Sequence, residues 1–136
     1  MRVLVTGATG FLGSAVVAAA LAAGHQVLAL RRPSAPAPAT DPARQLNWLA
    51  ADLRQADNLR ARLKHVEGVI HCAAATSGDL ATQLAGTVVA TENLLASLPD
   101  GLRRFVHVSS LSVYDFDNPR FLGLLSEDTL LEARPP

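Results

Sequence analysis

Val3-Leu4-Val5-Thr6-Gly7-Ala8-Thr9-Gly10-Phe11-Leu12-Gly13 is the stretch on which the reading of this chain turns. Val3 to Val5 are apolar without alternation and rich in β-branched residues, the pattern of a parallel strand buried on both faces. Glycines follow at positions 7, 10 and 13, and an Ala/Val-rich segment of helical character begins at once. Gly7 lets the chain turn sharply off the strand, Gly10 leaves room for a backbone to approach a pyrophosphate, and Gly13 lets the first helix pack closely on the sheet. The helix N-terminus adds unpaired N–H groups and a partial positive charge, a seat for phosphate. A glycine triplet alone is weak evidence, but a strand before it and a helix after it make it a strong dinucleotide-binding signal.

The rest of the composition bounds the class. A chain of 136 residues reads as one domain, long enough for a real core and short for a complete dinucleotide enzyme. Apolar residues make up 49% and aromatics 4%, so the core must be built from Ala, Val and Leu. A formal charge of zero argues against nucleic acid or an anionic membrane as partner. Cys72 is the only cysteine, which excludes an intrachain disulfide and points to the cytoplasm. The apolar run Ala15 to Ala23 lacks a basic flank and is too short to span a bilayer. No metal site is expected.

Read in order, Gly10 to Ala23 is a helix stopped by Gly24, and Gln26 to Leu30 a second buried strand. Pro33 to Pro42 carries four prolines and reads as an extended surface loop. Leu46 to Ala50 is a third strand. Asp52 to His65 is expected to be helical, with Leu53, Leu59 and Leu63 packed and Arg54, Arg60 and Lys64 outward. Val69 to Ala73 is a fourth strand. From about Asp79 to Leu98, Leu80, Leu84, Val88, Thr91 and Leu95 recur every three or four residues, which predicts a long helix. Asp100-Gly101 breaks it, and Arg104 to Ser109 is a fifth strand; Tyr114 to Pro136 contains no fitting sixth. The alternation predicts an α/β, Rossmann-type, doubly wound parallel sheet of order 3-2-1-4-5, incomplete at the C-terminus. Ligand is expected beyond the carboxyl ends of strands one and four, where the order reverses.

Four segments together resemble the N-terminal part of an extended or atypical short-chain dehydrogenase/reductase, of the NAD-dependent epimerase/dehydratase family. Thr6 to Gly13 resembles its TGxxGxxG turn, Ala51-Asp52-Leu53 its "GDL" segment, His71-Cys72-Ala73-Ala74 its "HxAA", and Phe105 to Tyr114 its "FVxxSSxxVYG". The resemblance runs from residue 1 to about residue 132. It implies a dinucleotide held by Gly7, Thr9, Gly10, Phe11, Leu12, Gly13, Asp52, Leu53, Ala73 and Ala74, with Asp52 on the adenine amino group. It also implies Ser110 as the residue that hydrogen-bonds the reacting hydroxyl or carbonyl. Asp52 fits equally as the N-cap of the following helix. His71 reads as a hydrogen-bonded structural histidine, Cys72 as core, and Ser109 and Ser112 as loop-satisfying hydroxyls.

Two departures from the family pattern bear on chemistry. NAD-using members carry an acid at the end of the second strand, and this chain has Arg31 and Arg32 there. A guanidinium pairs with a 2′-phosphate that a carboxylate would repel, so Arg31 or Arg32 favours NADP, with NAD the alternative; a pair of solvated loop arginines is the other reading. Thr87 stands where the family's "NVxGTxNLL" has a structural and catalytic asparagine. The resemblance also implies a Tyr-x-x-x-Lys pair, a tyrosine acid–base activated by lysine. The only tyrosine and lysine here, Tyr114 and Lys64, are not four apart.

The chain is therefore expected to be the cofactor-binding portion of an NAD(P)-dependent oxidoreductase, epimerase or dehydratase, truncated before the catalytic helix and substrate lobe and inactive alone. Its substrate would be a sugar nucleotide or a small carbonyl compound, met only once a C-terminal lobe completes the site. The alternatives are a non-catalytic NADP-binding scaffold, or an inert fragment whose open edge and apolar residues (Phe121, Leu122, Leu124, Leu125) drive homo-oligomer formation.

Overall fold

The structure, a computed structural model, describes residues 1–36, 45–55, 58–118 and 123–132. Five parallel strands, β1 (Arg2–Thr6), β2 (Gln26–Arg31), β3 (Leu46–Ala50), β4 (Gly68–His71) and β5 (Arg104–His107), lie in the order β3-β2-β1-β4-β5. This is the expected doubly wound sheet, and its order reverses between β1 and β4.

Alternate residues of the strands feed two cores, as the period of a strand requires. Val3, Val5, Val27 and Ala29 face α1 (Phe11–Ala22), which packs through Val17 and Ala20. Leu4, Leu28, Leu30 and Val69 face the opposite way, against α2 (Leu59–Leu63) and α4 (Ala90–Ala96), through Leu59, Leu63, Ala90 and Leu94. Helix α1 ends as expected: Gly24 sits at φ +77°, its N–H reaches the Leu21 carbonyl, and the His25 N–H reaches that of Ala20.

Two expected helices differ. Among the described residues of the 52–65 segment only α2 is helical, and two local features oppose a helix at its start. Asp52 closes a turn onto the Arg54 N–H, and Asn58 lies in the left-handed region at φ +57°. Leu53, Leu59 and Leu63 are nonetheless buried, and Arg54, Arg60 and Lys64 exposed, as the pattern predicts.

The 79–98 segment is helical from 80 to 96 but changes pitch. Asp79 caps α3 (Leu80–Gln83) through the Thr82 N–H, a π-helical turn spans Leu84–Val89, and α4 follows. The face turned to the sheet is the one that carries Ala90 and Leu94, not the apolar stripe. Leu80, Leu84, Val88 and Leu95 are therefore exposed, at 61%, 46%, 47% and 48%, while Ala90 and Leu94 are buried.

Strand β5 pairs only with β4 among the described residues, leaving Val106 and Val108 exposed. Beyond it the chain makes a 3-10 turn (Leu111–Val113) and a single antiparallel bridge, Tyr114 to Leu131, with no sixth strand among the described residues. Of the Pro33 to Pro42 loop, residues 37–42 lie outside the described residues, as do Phe121 and Leu122; Leu124 and Leu125 are exposed.

Candidate functional site

Three close approaches build the turn after β1. Gly7 has φ +64°, and a Cβ there would meet the Ala73 nitrogen and the Cys72 carbonyl group at 2.9 Å. A Cβ on Gly13 would lie 2.0 Å from the Gly7 carbonyl oxygen. Helix α1 thus starts hard against the turn, and the turn hard against the chain leaving β4. Gly10 is the N-cap of α1, whose first turn carries no acidic side chain. Its Cβ position meets only the Gly7 carbonyl oxygen, at 3.2 Å. The N-terminal N–H groups of α1 therefore retain their partial positive charge at the rim of the sheet.

Next to this turn lies a cleft of about 410 Å³ at the carboxyl ends of the strands. Gly7, Thr9 and Gly10 form one wall; Leu30, Arg31 and Arg32 come from the end of β2, and Ala51 to Arg54 from the exit of β3. The chain leaving β4, residues 72–77, forms the facing wall with Thr82, Gly86 and Ala90 behind it. Small side chains on that wall allow a flat ligand to lie against backbone. A Cβ on Gly86 would meet the Ala75 Cβ at 2.7 Å, so the helical run abuts the wall directly.

The β2–β3 end of the cleft is charged. The Asp52 carboxylate accepts from the Arg54 guanidinium at 2.6 and 3.0 Å and from the Arg54 backbone N–H at 3.0 Å. These bonds, with the Arg54 and Arg32 charges, hold its pKa below the ordinary value despite partial desolvation. Arg31 donates from one terminal nitrogen to the carbonyls of Arg32, Pro33 and Ala35, at 3.3, 3.4 and 2.7 Å. It clamps its own loop, and its Nε is buried with no partner among the described residues. Arg32 is exposed, and its guanidinium makes no hydrogen bond to the described residues.

Behind the β4 wall, His71 is buried, and its ring spans β1 and α4. Its Nδ1 lies 2.6 Å from the Thr6 hydroxyl, and its Nε2 lies 3.0 Å from that of Thr91. Desolvation, with a smaller contribution from the stacked His107, pushes its pKa down to about 4, so the ring is neutral. Burial pushes the Cys72 thiol up, away from the reactive thiolate.

The sequence model of the NAD-dependent epimerase/dehydratase family matches residues 3–135. This chain belongs to that family. A 3β-hydroxysteroid dehydrogenase/Δ5→4-isomerase of Mycobacterium tuberculosis is 37% identical over 123 residues, covering 82% of this chain and 32% of that protein. A short-chain dehydrogenase/reductase superfamily protein of Agrobacterium tumefaciens, solved with bound NAD, superposes with TM-score 0.77 at 31% identity over 99% of this chain and 40% of that one. MoeE5, solved with UDP-glucose and NAD, gives TM-score 0.78 at 33% identity over 97% of this chain and 42% of that one. The chain spans about a third of that curated relative and under half of these solved chains.

The residues singled out from the sequence, by the epimerase/dehydratase resemblance or by departure from it, are mostly brought together. Gly7, Thr9, Gly10, Arg31, Arg32, Asp52, Leu53, Ala73 and Ala74 all line the cleft. Phe11, Leu12 and Gly13 do not: the Phe11 side chain is wholly exposed, Leu12 is exposed, and Gly13 is buried beneath the turn. Asp52 is not a helix N-cap, because no helix starts there. Ser110 lies off the cleft, on the turn after β5, where its Oγ accepts from the Ser112 N–H at 3.1 Å. Sequence reasoning missed Arg54, Ala75, Thr76, Ser77, Thr82 and Gly86 as cleft residues. The Ala-Ala-Ala-Thr-Ser run was the available sign, since small residues continue past the "HxAA" segment.

Proposed function

We propose that residues 1–136 are the dinucleotide-binding portion of an NAD(P)-dependent oxidoreductase, epimerase or dehydratase, and that NADP is preferred over NAD. The observation that carries the reading is the Gly7 turn, pressed between Gly13 and the β4 exit so that the N-terminus of α1 opens on the cleft. There, N–H groups would bind the diphosphate, and the small residues 73–75 would accept the ribose and nicotinamide side. When bound, the cofactor would supply hydride donation and acceptance. Asp52, oriented by Arg54, would accept from the adenine amino group. The substrate would be a hydroxyl- or carbonyl-bearing compound such as a sugar nucleotide or steroid; MoeE5 was solved with UDP-glucose, and the mycobacterial relative is a steroid dehydrogenase. Ser110 would hold its oxygen once residues outside this chain close the site, and the chain alone would be inactive.

The preference for NADP follows from the charges. Arg31 is tied to its own loop, which leaves Arg32 as the guanidinium for a 2′-phosphate. Among the described residues no helix is long and apolar enough to cross a membrane, and with a lone cysteine a cytoplasmic location is the proposal. The test is titration of the chain with NADPH and with NADH, read by energy transfer from Trp48, its only tryptophan. NADPH should bind more tightly, and Arg32→Asp should weaken it about tenfold or more while changing NADH little. Tighter NADH binding by the unaltered chain would refute the preference.

A further inference from the structure

Three side chains that do not line the cleft, those of Thr6, His71 and Thr91, are joined into one relay behind it that ends on the Thr87 backbone carbonyl. The Ala73 N–H donates to the Thr6 Oγ1 at 3.2 Å, and that hydroxyl meets His71 Nδ1 at 2.6 Å. His71 Nε2 meets the Thr91 Oγ1, whose own proton goes back to the Thr87 carbonyl. Since Thr91 donates to Thr87, it accepts from His71 Nε2–H, and Nδ1 accepts from Thr6; the network assigns a single tautomer. A second amide of the same strip, Ala75 N–H, donates to the Thr87 Oγ1 at 3.0 Å. Strand β4 ends at His71, so Ala73 and Ala75 have left the ladder, and their N–H groups require partners. The donors run in one direction from the wall of the cleft to the π turn, an arrangement in which each bond polarises the next.

We propose that this relay is a positioning device for the dinucleotide. It holds the strip 72–75 at the separation from the Gly7 turn that the cofactor needs. Thr6, His71, Thr87 and Thr91 then set cofactor affinity without touching the cofactor. The inference rests on the dinucleotide reading above. It explains two features that reading leaves aside. One is a buried neutral histidine with both ring nitrogens bonded; the other is a π turn whose Thr87 faces the wall where the family pattern has asparagine. Little slack is available, because Gly7 already lies in backbone contact with Cys72 and Ala73.

Thr91→Val keeps the shape of the side chain and removes the acceptor for Nε2–H; Thr91→Ser restores it. NADPH and NADH are titrated into the full chain and both variants at a temperature where all three are folded, so that lost stability alone does not move the readout. Thr91→Val should loosen the preferred dinucleotide roughly tenfold, and Thr91→Ser should stay within about twofold of the unaltered chain. Amide hydrogen exchange without cofactor should quicken at Ala73 in Thr91→Val and not in Thr91→Ser. A folded Thr91→Val that binds as the unaltered chain does, or a Thr91→Ser as weak as Thr91→Val, would overturn the proposal. If Thr91→Val does not fold, the imidazole nitrogen spectrum of the unaltered chain decides: Nε2 protonated with Nδ1 bare supports the relay, and the opposite tautomer overturns it. An unaltered chain that binds neither dinucleotide removes the dinucleotide reading itself. One that binds while Thr91→Val has no effect removes only the relay's role.

Discussion

Gly13→Ala adds one methyl group where the turn and the first helix meet. The new Cβ would lie 2.0 Å from the Gly7 carbonyl oxygen, 2.6 Å from its carbon and 3.0 Å from the Ala8 Cα. That is roughly 1.4 Å short of comfortable contact, and every neighbour is backbone. The turn has no way to retreat, because Gly7 is already against Cys72 and Ala73 on its far side. The start of α1 must therefore lift. Overpacking of this kind costs about 1–3 kcal/mol, and the clash with backbone on both sides puts this site at or above the upper end. Replacing a helical glycine by alanine returns up to about 1 kcal/mol, so the net loss should be about 2 kcal/mol. For a chain of this length that is a fall in Tm of about 6 °C. The helix start is also the proposed diphosphate seat, so NADPH affinity should fall about tenfold or more alongside stability. Gly101→Ala is the matched control. Its Cβ would enter open space, so it should be neutral or stabilising by up to about 1 kcal/mol. Thermal unfolding followed by circular dichroism, with NADPH titration at 20 °C or so, reads both. A Gly13→Ala chain as stable as the unaltered one would refute the close-packing argument.

The buried His71 makes stability pH-dependent. Its folded pKa, about 4, lies below the ordinary 6.5, so the unfolded chain binds the proton more readily. The contribution is full above about pH 6.5 and is lost as pH falls toward 4, about 3 kcal/mol in all, with Thr6, Thr91, Phe105 and His107 around the ring. Urea unfolding at about pH 7, 5.5 and 4.5 checks this; flat stability across that range contradicts it. Arg31→Ala should disturb the loop it clamps and leave the ratio of NADPH to NADH affinity within about threefold, unlike Arg32→Asp; an equal effect of both would contradict the assignment to Arg32. The exposed stripe Leu80, Leu84, Val88 and Leu95, with Val106 on β5 and Val108 just past it, should make the chain self-associate. Leu84→Glu with Val88→Lys should then shift sedimentation toward the monomer, and an unaltered chain that is already monomeric at high concentration would contradict this.

The parts of the fold that were legible are those decided by unambiguous local chemistry. Uninterrupted apolar strands, a glycine turn and Gly24 after α1 each have one cheap solution, and together they lead to the observed sheet order. The helices were less legible because their ends depend on single residues. Asp52 suits an N-cap by residue type but closes a turn with Arg54 instead, and Asn58 in the left-handed region breaks a pattern whose Leu53, Leu59 and Leu63 still pack as a helix would pack them. The π turn was not legible at all, and neither was the buried face: Leu80, Leu84 and Val88 keep a perfect helical spacing but face solvent, while Ala90 and Leu94 pack on the sheet. Within the site, residues named for backbone freedom came together. Ser110 did not, because its place depends on the path of the chain beyond β5.

A dinucleotide role for this chain requires the turn between β1 and α1 to hold a diphosphate. Amide chemical shifts of the isotopically labelled chain, followed as NADPH is added, test it most directly. Saturable shifts are expected at Gly10, Phe11, Leu12 and Gly13 and along residues 73–75, with little change at Leu111 to Val113. Shifts that leave the Gly10 to Gly13 amides unmoved in a folded chain, at concentrations that saturate any other site, would contradict it.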